Sequence, residues 1–231
     1  MKSEKIVNYL KNKNKKLSEY KIGSFEIFVK DPIPENVNIN AVFEEVESLL
    51  PEHFLNLIDV VYIGNFPFFE ERNINSMYLD GALYVSSEQD DNDDMKDDIV
   101  HEIAHALEEK YNDFLYDDEK IKNEYFGKLK KLRNYLSFEN YDLRGINFFN
   151  VKYNQQFDEF LLNEVGYDRL SGFAEGLFLA PYSITSLREY FARAFEEFFL
   201  GDRLYLKSIC PYSYKKLLFL YSNLERLEYE R

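Results

Sequence analysis

Along the first hundred residues short apolar runs alternate with turn residues, and beyond them apolar residues recur at helical spacing. Phe25-Glu26-Ile27-Phe28-Val29 reads as a strand, stopped by Asp31-Pro32-Ile33-Pro34, since proline cannot donate to a ladder. Asn40 can cap a helix reaching about Leu50, with Val42, Val46 and Leu49-Leu50 inward. Ile58 to Ile63 has the pattern of a short buried strand closed by Gly64. Met77-Tyr78-Leu79 and Ala82-Leu83-Tyr84-Val85-Ser86 flank Asp80-Gly81, a strong hairpin signal. A helix then starts in the acidic run Asp93-Asp94-Met95-Lys96-Asp97-Asp98, which suits the positive end of a helix dipole, and Ile99, Ile103 and Leu107 give it one buried stripe. Further helices are expected from Ile121, Tyr125, Leu129, Leu132 and Leu136, and over roughly 155–163, 187–200 and 211–227. Strands first and helices after predict an α+β fold: a small mixed sheet, an edge strand beside the helix that follows the hairpin, and a mostly helical C-terminal half, in one unit over 1–231.

The helix after the hairpin carries the chemistry. It contains His101-Glu102-Ile103-Ala104-His105, which uses two of the three histidines in the chain. Histidines four apart lie on one helix face, about 6 Å apart along the axis. That spacing lets both imidazoles meet one Zn²⁺ at roughly 2.0–2.1 Å. Glu102 sits where a carboxylate can take a proton from a water on that ion. The bland alternative is a surface helix with two solvated histidines, and Ile99, Ile103, Ala104 and Leu107 make the segment too apolar for that.

A catalytic zinc takes three protein ligands and an open position. The remaining histidine, His53, lies far upstream in Pro51-Glu52-His53-Phe54 and reads as a loop or helix-end residue. Three downstream carboxylates stay open. Glu164, in Asn163-Glu164-Val165-Gly166-Tyr167-Asp168, fits the Asn-Glu-x-x-x-Asp pattern of thermolysin-like enzymes, but Gly166 weakens the helix a rigid ligand needs. Glu175 stands between glycines and reads as a turn. Glu189 borders the apolar face of a strong helix, Ser186 to Phe199, and is favoured; Ser186 and Glu189 also form a capping box, a purely structural use for the same carboxylate.

Composition narrows the function. A formal net charge of −14 argues against nucleic acid as a partner. The exception is local: Lys2, Lys5, Lys11, Lys13, Lys15 and Lys16 make residues 1–20 a basic segment, read as a solvated helix end. One cysteine, Cys210, excludes an internal disulfide and reads as a small core residue. No continuous apolar run resembles a signal peptide or approaches the ~20 residues of a membrane span, so a cytoplasmic location is expected.

HEIAH, followed by Pro181-Tyr182 and Glu189-Tyr190-Phe191-Ala192-Arg193-Ala194-Phe195, resembles the catalytic domain of anthrax lethal factor and the related Pro-Pro endopeptidases. In that family a tyrosine stands seven residues before the glutamate ligand, the place of Tyr182 here. The resemblance implies a zincin-like fold and a zinc endopeptidase acting on a protein or peptide. One Zn²⁺ would sit on His101, His105 and Glu189, with Glu102 as general base and Tyr182 as oxyanion donor. Ala82 to Ser86 is expected to be the edge strand that pairs with an extended substrate. Glu189 stands 84 positions after His105, a longer gap than in those relatives, which makes 110–180 an insertion. Arg193 stands where a second acidic residue is common. The alternative from another class is a catalytically silent zincin-fold binding or structural protein of a phage or mobile element, and a third reading is a metal-dependent hydrolase of non-peptide amides.

Overall fold

Apolar side chains at alternate positions build the sheet. The computed structural model describes residues 18–72 and 74–229; the basic run at Lys2 to Lys16 lies outside them. Five strands, β1 (Ser18–Ile22), β2 (Phe25–Val29), β3 (Val60–Ile63), β4 (Ser76–Leu79) and β5 (Ala82–Val85), pair in the order β1-β2-β3-β5-β4. The outer pairs are antiparallel and the inner pairs parallel, so the sheet is mixed as expected. Rows Ile27–Val61–Leu83 and Val29–Ile63–Val85 follow the register, and Ile27, Val61, Ile63, Leu83 and Val85 are fully buried. The intervening row carries Phe28, Tyr62 and Tyr84 on the opposite face, stacked at 5.6 and 5.3 Å. Burial there pushes the Tyr84 hydroxyl up to about 12.

The strand pattern fails in one place and is corrected in another. β1 was not expected, because its exposed Ser-Glu-Tyr-Lys sequence has one buried residue, Ile22; it exists as the antiparallel partner of β2. Ala82–Val85 is not an edge strand, since it pairs with β3 on one side and β4 on the other. Among the described residues the edge strand beside it is β4.

Asp80 (φ 48°) and Gly81 (φ 82°) make the β4–β5 turn, both in the left-handed region that a tight hairpin requires. A Cβ on Gly81 would also run into the Asp59 carboxylate. The Gly81 carbonyl accepts from the Asp59 amide at 2.8 Å, which ties the turn to the chain entering β3.

The helix before β3 is α1 (Ile39–Leu49), with Val42, Phe43 and Val46 buried. Its cap is Asn38 rather than Asn40, through Oδ1 accepting from the Ala41 amide at 3.2 Å. Two short helices follow, α2 (Glu52–Leu55) and α3 (Pro67–Arg72). The histidine-bearing helix is α4 (Asn92–Lys110). Asp91 Oδ1 accepts from the amides of Asp93 and Asp94 at 2.9 and 3.0 Å, satisfying first-turn donors.

By contacts the chain falls into two compact units, 1–107 and 108–231, and the division runs through the last turn of α4. The second unit is helical: α5 (Asn112–Tyr116), α6 (Lys120–Phe138), α7 (Gln155–Glu159) continuing as a π-helix (Phe160–Val165), α8 (Tyr167–Ala174), a 3₁₀ turn (Pro181–Ile184), α9 (Leu187–Phe199), α10 (Arg203–Ile209) and α11 (Pro211–Tyr229). The expected α6 stripe, Ile121, Tyr125, Leu129, Leu132 and Leu136, is fully buried. Tyr125 and Tyr190 of α9 lie 5.3 Å apart, and each packs edge-on against Phe178. Cys210 is a buried free thiol, as expected of a core residue, and accepts from Lys128 Nζ at 3.2 Å. Burial lowers the Lys128 ammonium and raises the Cys210 thiol from their ordinary values. Among the described residues no helix is long and apolar enough to cross a membrane.

Replacing Gly81 with Ala should lower stability by more than about 1 kcal/mol, since both the positive φ and the Asp59 approach oppose a Cβ. Urea unfolding checks this; an unchanged midpoint would contradict the turn geometry.

Candidate metal centre

The HEIAH residues sit on a helix that is apolar on most sides. Ile99, Val100, Ile103, Ala104 and Leu107 are fully buried, and Glu102 and His105 are each 5% exposed. The imidazoles of His101 and His105 lie 4.7 Å apart between ring centroids with their planes at 90°. Donor atoms of His101, Glu102 and His105 all fall within 4.8 Å of one another, the one group of three or more His, Cys, Asp or Glu among the described residues that could hold a metal ion. Tetrahedral donors at ~2.0 Å stand about 3.3 Å apart, so small side-chain rotations bring the imidazoles to that spacing.

The carboxylate between the two imidazoles is fastened to β4. Glu102 Oε1 accepts from Ser76 Oγ at 2.8 Å, and Oε2 accepts from the Tyr78 amide at 2.6 Å. Both donors belong to β4. Ser76 lies opposite Val85 in the register, so its side chain shares the Ile63–Val85 face, and the bond to Glu102 places α4 over that face at its β4 side. The Tyr78 amide, given to Glu102, is turned away from β5. An ionised carboxylate offers about four acceptor sites, so Glu102 keeps capacity to take a proton while both bonds stand. Histidine nitrogens with a base fastened alongside fit a borderline ion such as Zn²⁺.

One turn before the histidines, Asp98 is half-buried and accepts from Gln89 Nε2 at 3.0 Å. Burial pushes its carboxyl up to about 6; the Gln89 bond opposes this, Asp94 and Glu102 add to it, and His101 opposes it.

The other residues named from the sequence fall as follows. His53 stands on α2 with its ring 4.6 Å from Phe54, edge-on. Glu164 is exposed on the π-helix, and Gly166 (φ 80°) separates it from Asp168 on α8, so the thermolysin-like pattern does not lie on one helix. Glu175 is exposed at the C-cap of α8. Glu189 lies in the first turn of α9, where Ser186 caps the helix by accepting the Glu189 amide at 3.1 Å. The capping half of the Ser186 reading therefore stands, and it uses the Glu189 backbone. The Glu189 charge joins burial in raising the Glu108 carboxyl, which the Tyr116 hydroxyl and Arg188 oppose. Arg188 Nε is 3.8 Å from Glu108 Oε2. Tyr182 is 39% exposed on the 3₁₀ turn, and the Tyr125 hydroxyl donates to Ile184 at the end of that turn at 2.7 Å. Arg193 pairs with Glu196 on its own helix.

Sequence reasoning missed Ser76 and the Tyr78 amide. The hairpin was legible, and pairing it in register would have put Ser76 on the same face as Val85; nothing in the sequence showed that a backbone amide would serve Glu102. No protein-family model matches this chain, and no curated protein or solved structure matches it significantly.

The raised Asp98 pKa sets a sign. A folded-state value near 6 against about 3.9 unfolded means Asp98 contributes stability below pH 4 that is lost as pH rises through 6, at most about 3 kcal/mol. In metal-free protein, Asp98→Asn should gain stability over wild type on going from pH 4 to pH 7.5. A difference that does not grow with pH would show that Asp98 titrates normally.

Proposed function

We propose that this chain is a zinc-dependent endopeptidase with Glu102 as its general base. The observation that carries the reading is the three-way arrangement on α4: two imidazoles converging, and a buried carboxylate between them fastened to a sheet edge. His101 and His105 would hold the ion, and Glu189 would complete the set. Glu189 is preferred over Glu164 because it stands on a firmly capped helix, whereas Glu164 is exposed on a π-turn. The resemblance of HEIAH and the Tyr182–Glu189 spacing to the lethal factor and Pro-Pro endopeptidase family supports the same assignment.

Bound Zn²⁺ would supply an acidified water, with a pKa near ~7, and a Lewis acid for the scissile carbonyl. Glu102 takes the proton of the attacking water on a carboxylate oxygen and returns it to the leaving amine. Ser76 Oγ and the Tyr78 amide fix the orientation of that carboxylate. Tyr182 donates to the developing oxyanion, a bond whose loss typically costs about 3 kcal/mol. An extended substrate would add to β4, the sheet edge, through outward backbone groups other than the Tyr78 amide that Glu102 holds, taking the place assigned from sequence to Ala82–Ser86. The silent-binding alternative leaves Glu102 only the structural task of holding α4 to β4 through these two bonds.

Metal analysis beside peptide-library digestion tests the proposal. Glu102→Gln should keep zinc and lose cleavage by about 10²–10⁴-fold; equal activity would remove the mechanism. Glu189→Ala should lower zinc content while Glu164→Ala leaves it unchanged, and the reverse result would move the third ligand. Ser76→Ala should keep zinc and lower kcat by about tenfold, the worth of one hydrogen bond to a charged group; an unchanged kcat would leave Ser76 a structural contact.

A further inference from the structure

The second unit holds a hollow that the metal centre does not explain. It is an open hollow of about 310 Å³, lined by Tyr135, Phe138 and Glu139 at the end of α6 and by Gly172, Phe173 and Glu175 at the end of α8. Phe138 is 83% exposed and Tyr135 51%, both large apolar surfaces left to solvent on a helix whose opposite stripe is fully buried. Three aromatic rings and two carboxylates thus share one small space.

The charged residues that line the hollow, Glu139 and Glu175, are both acidic. Both lining helices end here, and neither carries a basic residue in its last turn. A helix C-terminus carries about half a negative charge, which a cation relieves. Glu139 and Glu175, the two C-cap residues, add full charges. Arg169, one turn before Phe173, feels the charge of Glu139 and donates to the Tyr141 hydroxyl at 3.1 Å. It therefore offsets one of the two carboxylates and leaves the other. Ring faces attract cations as well, through their quadrupole. The space over Gly172 is open: a Cβ there would meet nothing within 4 Å.

We propose that this hollow binds an organic cation with a short aliphatic stem, the alkylguanidinium or alkylammonium class to which arginine and lysine side chains belong. The stem lies against Phe138 and Phe173 over Gly172, and the charged head faces Glu139 and Glu175. The inference is independent of the metal reading.

The test is an NMR titration of the full-length chain with butylguanidinium, its neutral isostere butylurea, and an acetyl-Gly-Arg-Gly amide. Butylguanidinium should shift the Gly172 amide and the Phe138 and Phe173 ring signals saturably, with butylurea at least about tenfold weaker. Glu139→Gln/Glu175→Gln should remove that preference. Gly172→Leu, which fills open space and replaces a glycine inside a helix, should stay folded and abolish binding. Tighter binding of the peptide than of butylguanidinium assigns a peptide-borne side chain, and equal binding assigns a free cation. No saturable shift with either cation, equal binding of butylurea, or binding that survives Gly172→Leu would overturn the proposal.

Discussion

A helix buried on most sides has few places for polar groups, and that constraint governs the first unit. Along α4, Met95, Ile99, Val100, Ile103, Ala104, Ala106 and Leu107 are withdrawn from water. Glu102 and His105 go in with them, and desolvating an ionisable group costs several kcal/mol unless partners replace the water. For Glu102 the replacement is explicit: one hydroxyl and one backbone amide, both from β4. The sheet edge and the helix are thus fixed to each other through the carboxylate that the proposed chemistry needs. Asp98 shows the cost where compensation is partial, with one bond from Gln89 and a carboxyl raised to about 6.

The sequence displayed what depends on local periodicity. HEIAH and the Ile99–Ile103–Leu107 stripe place two imidazoles and the core face of α4 without any knowledge of the rest. Asp80-Gly81 marks its hairpin because only a few residue types accept its backbone angles. Long-range pairing was less visible. β1 is exposed along most of its length and is held by its ladder with β2, a bond pattern with no side-chain signature. Ala82–Val85 looked like an edge by its place next to the motif helix, while the order β3-β5-β4 makes it interior. The polar partners of Glu102 were hidden for the same reason, since one is a main-chain amide brought in by register.

The second unit obeys a different rule. Its core is aromatic, and Tyr125, Phe178 and Tyr190 pack edge-on or tilted, as ring quadrupoles favour. Tyrosines buried this way must place their hydroxyls: Tyr125 donates to Ile184 O, and Tyr190 donates to Glu124. Glu124 also accepts from the Tyr212 amide and Ser213 Oγ, so one carboxylate gathers α6, α9 and the start of α11. The bond to Ile184 steadies the turn that carries Tyr182, and the Ser186 cap steadies the first turn of α9 that carries Glu189. The two residues assigned by resemblance therefore stand on the better-anchored parts of this unit, while Glu164 stands on its π-helix. The break at Gly166 was visible in sequence as a weak point, but the switch to π geometry over 160–165 was not, because it answers to packing rather than to composition.

The central claim is that α4 presents two imidazoles to one ion while Glu102 stays free of it to act as base. Zinc-edge X-ray absorption of the stoichiometric zinc complex measures this directly. Two imidazole nitrogens at about 2.0–2.1 Å with the remaining ligands oxygen are expected, and the same two-imidazole shell in Glu102→Gln. A sulfur ligand near ~2.3 Å, a shell without histidine, or loss of the shell in Glu102→Gln would contradict it.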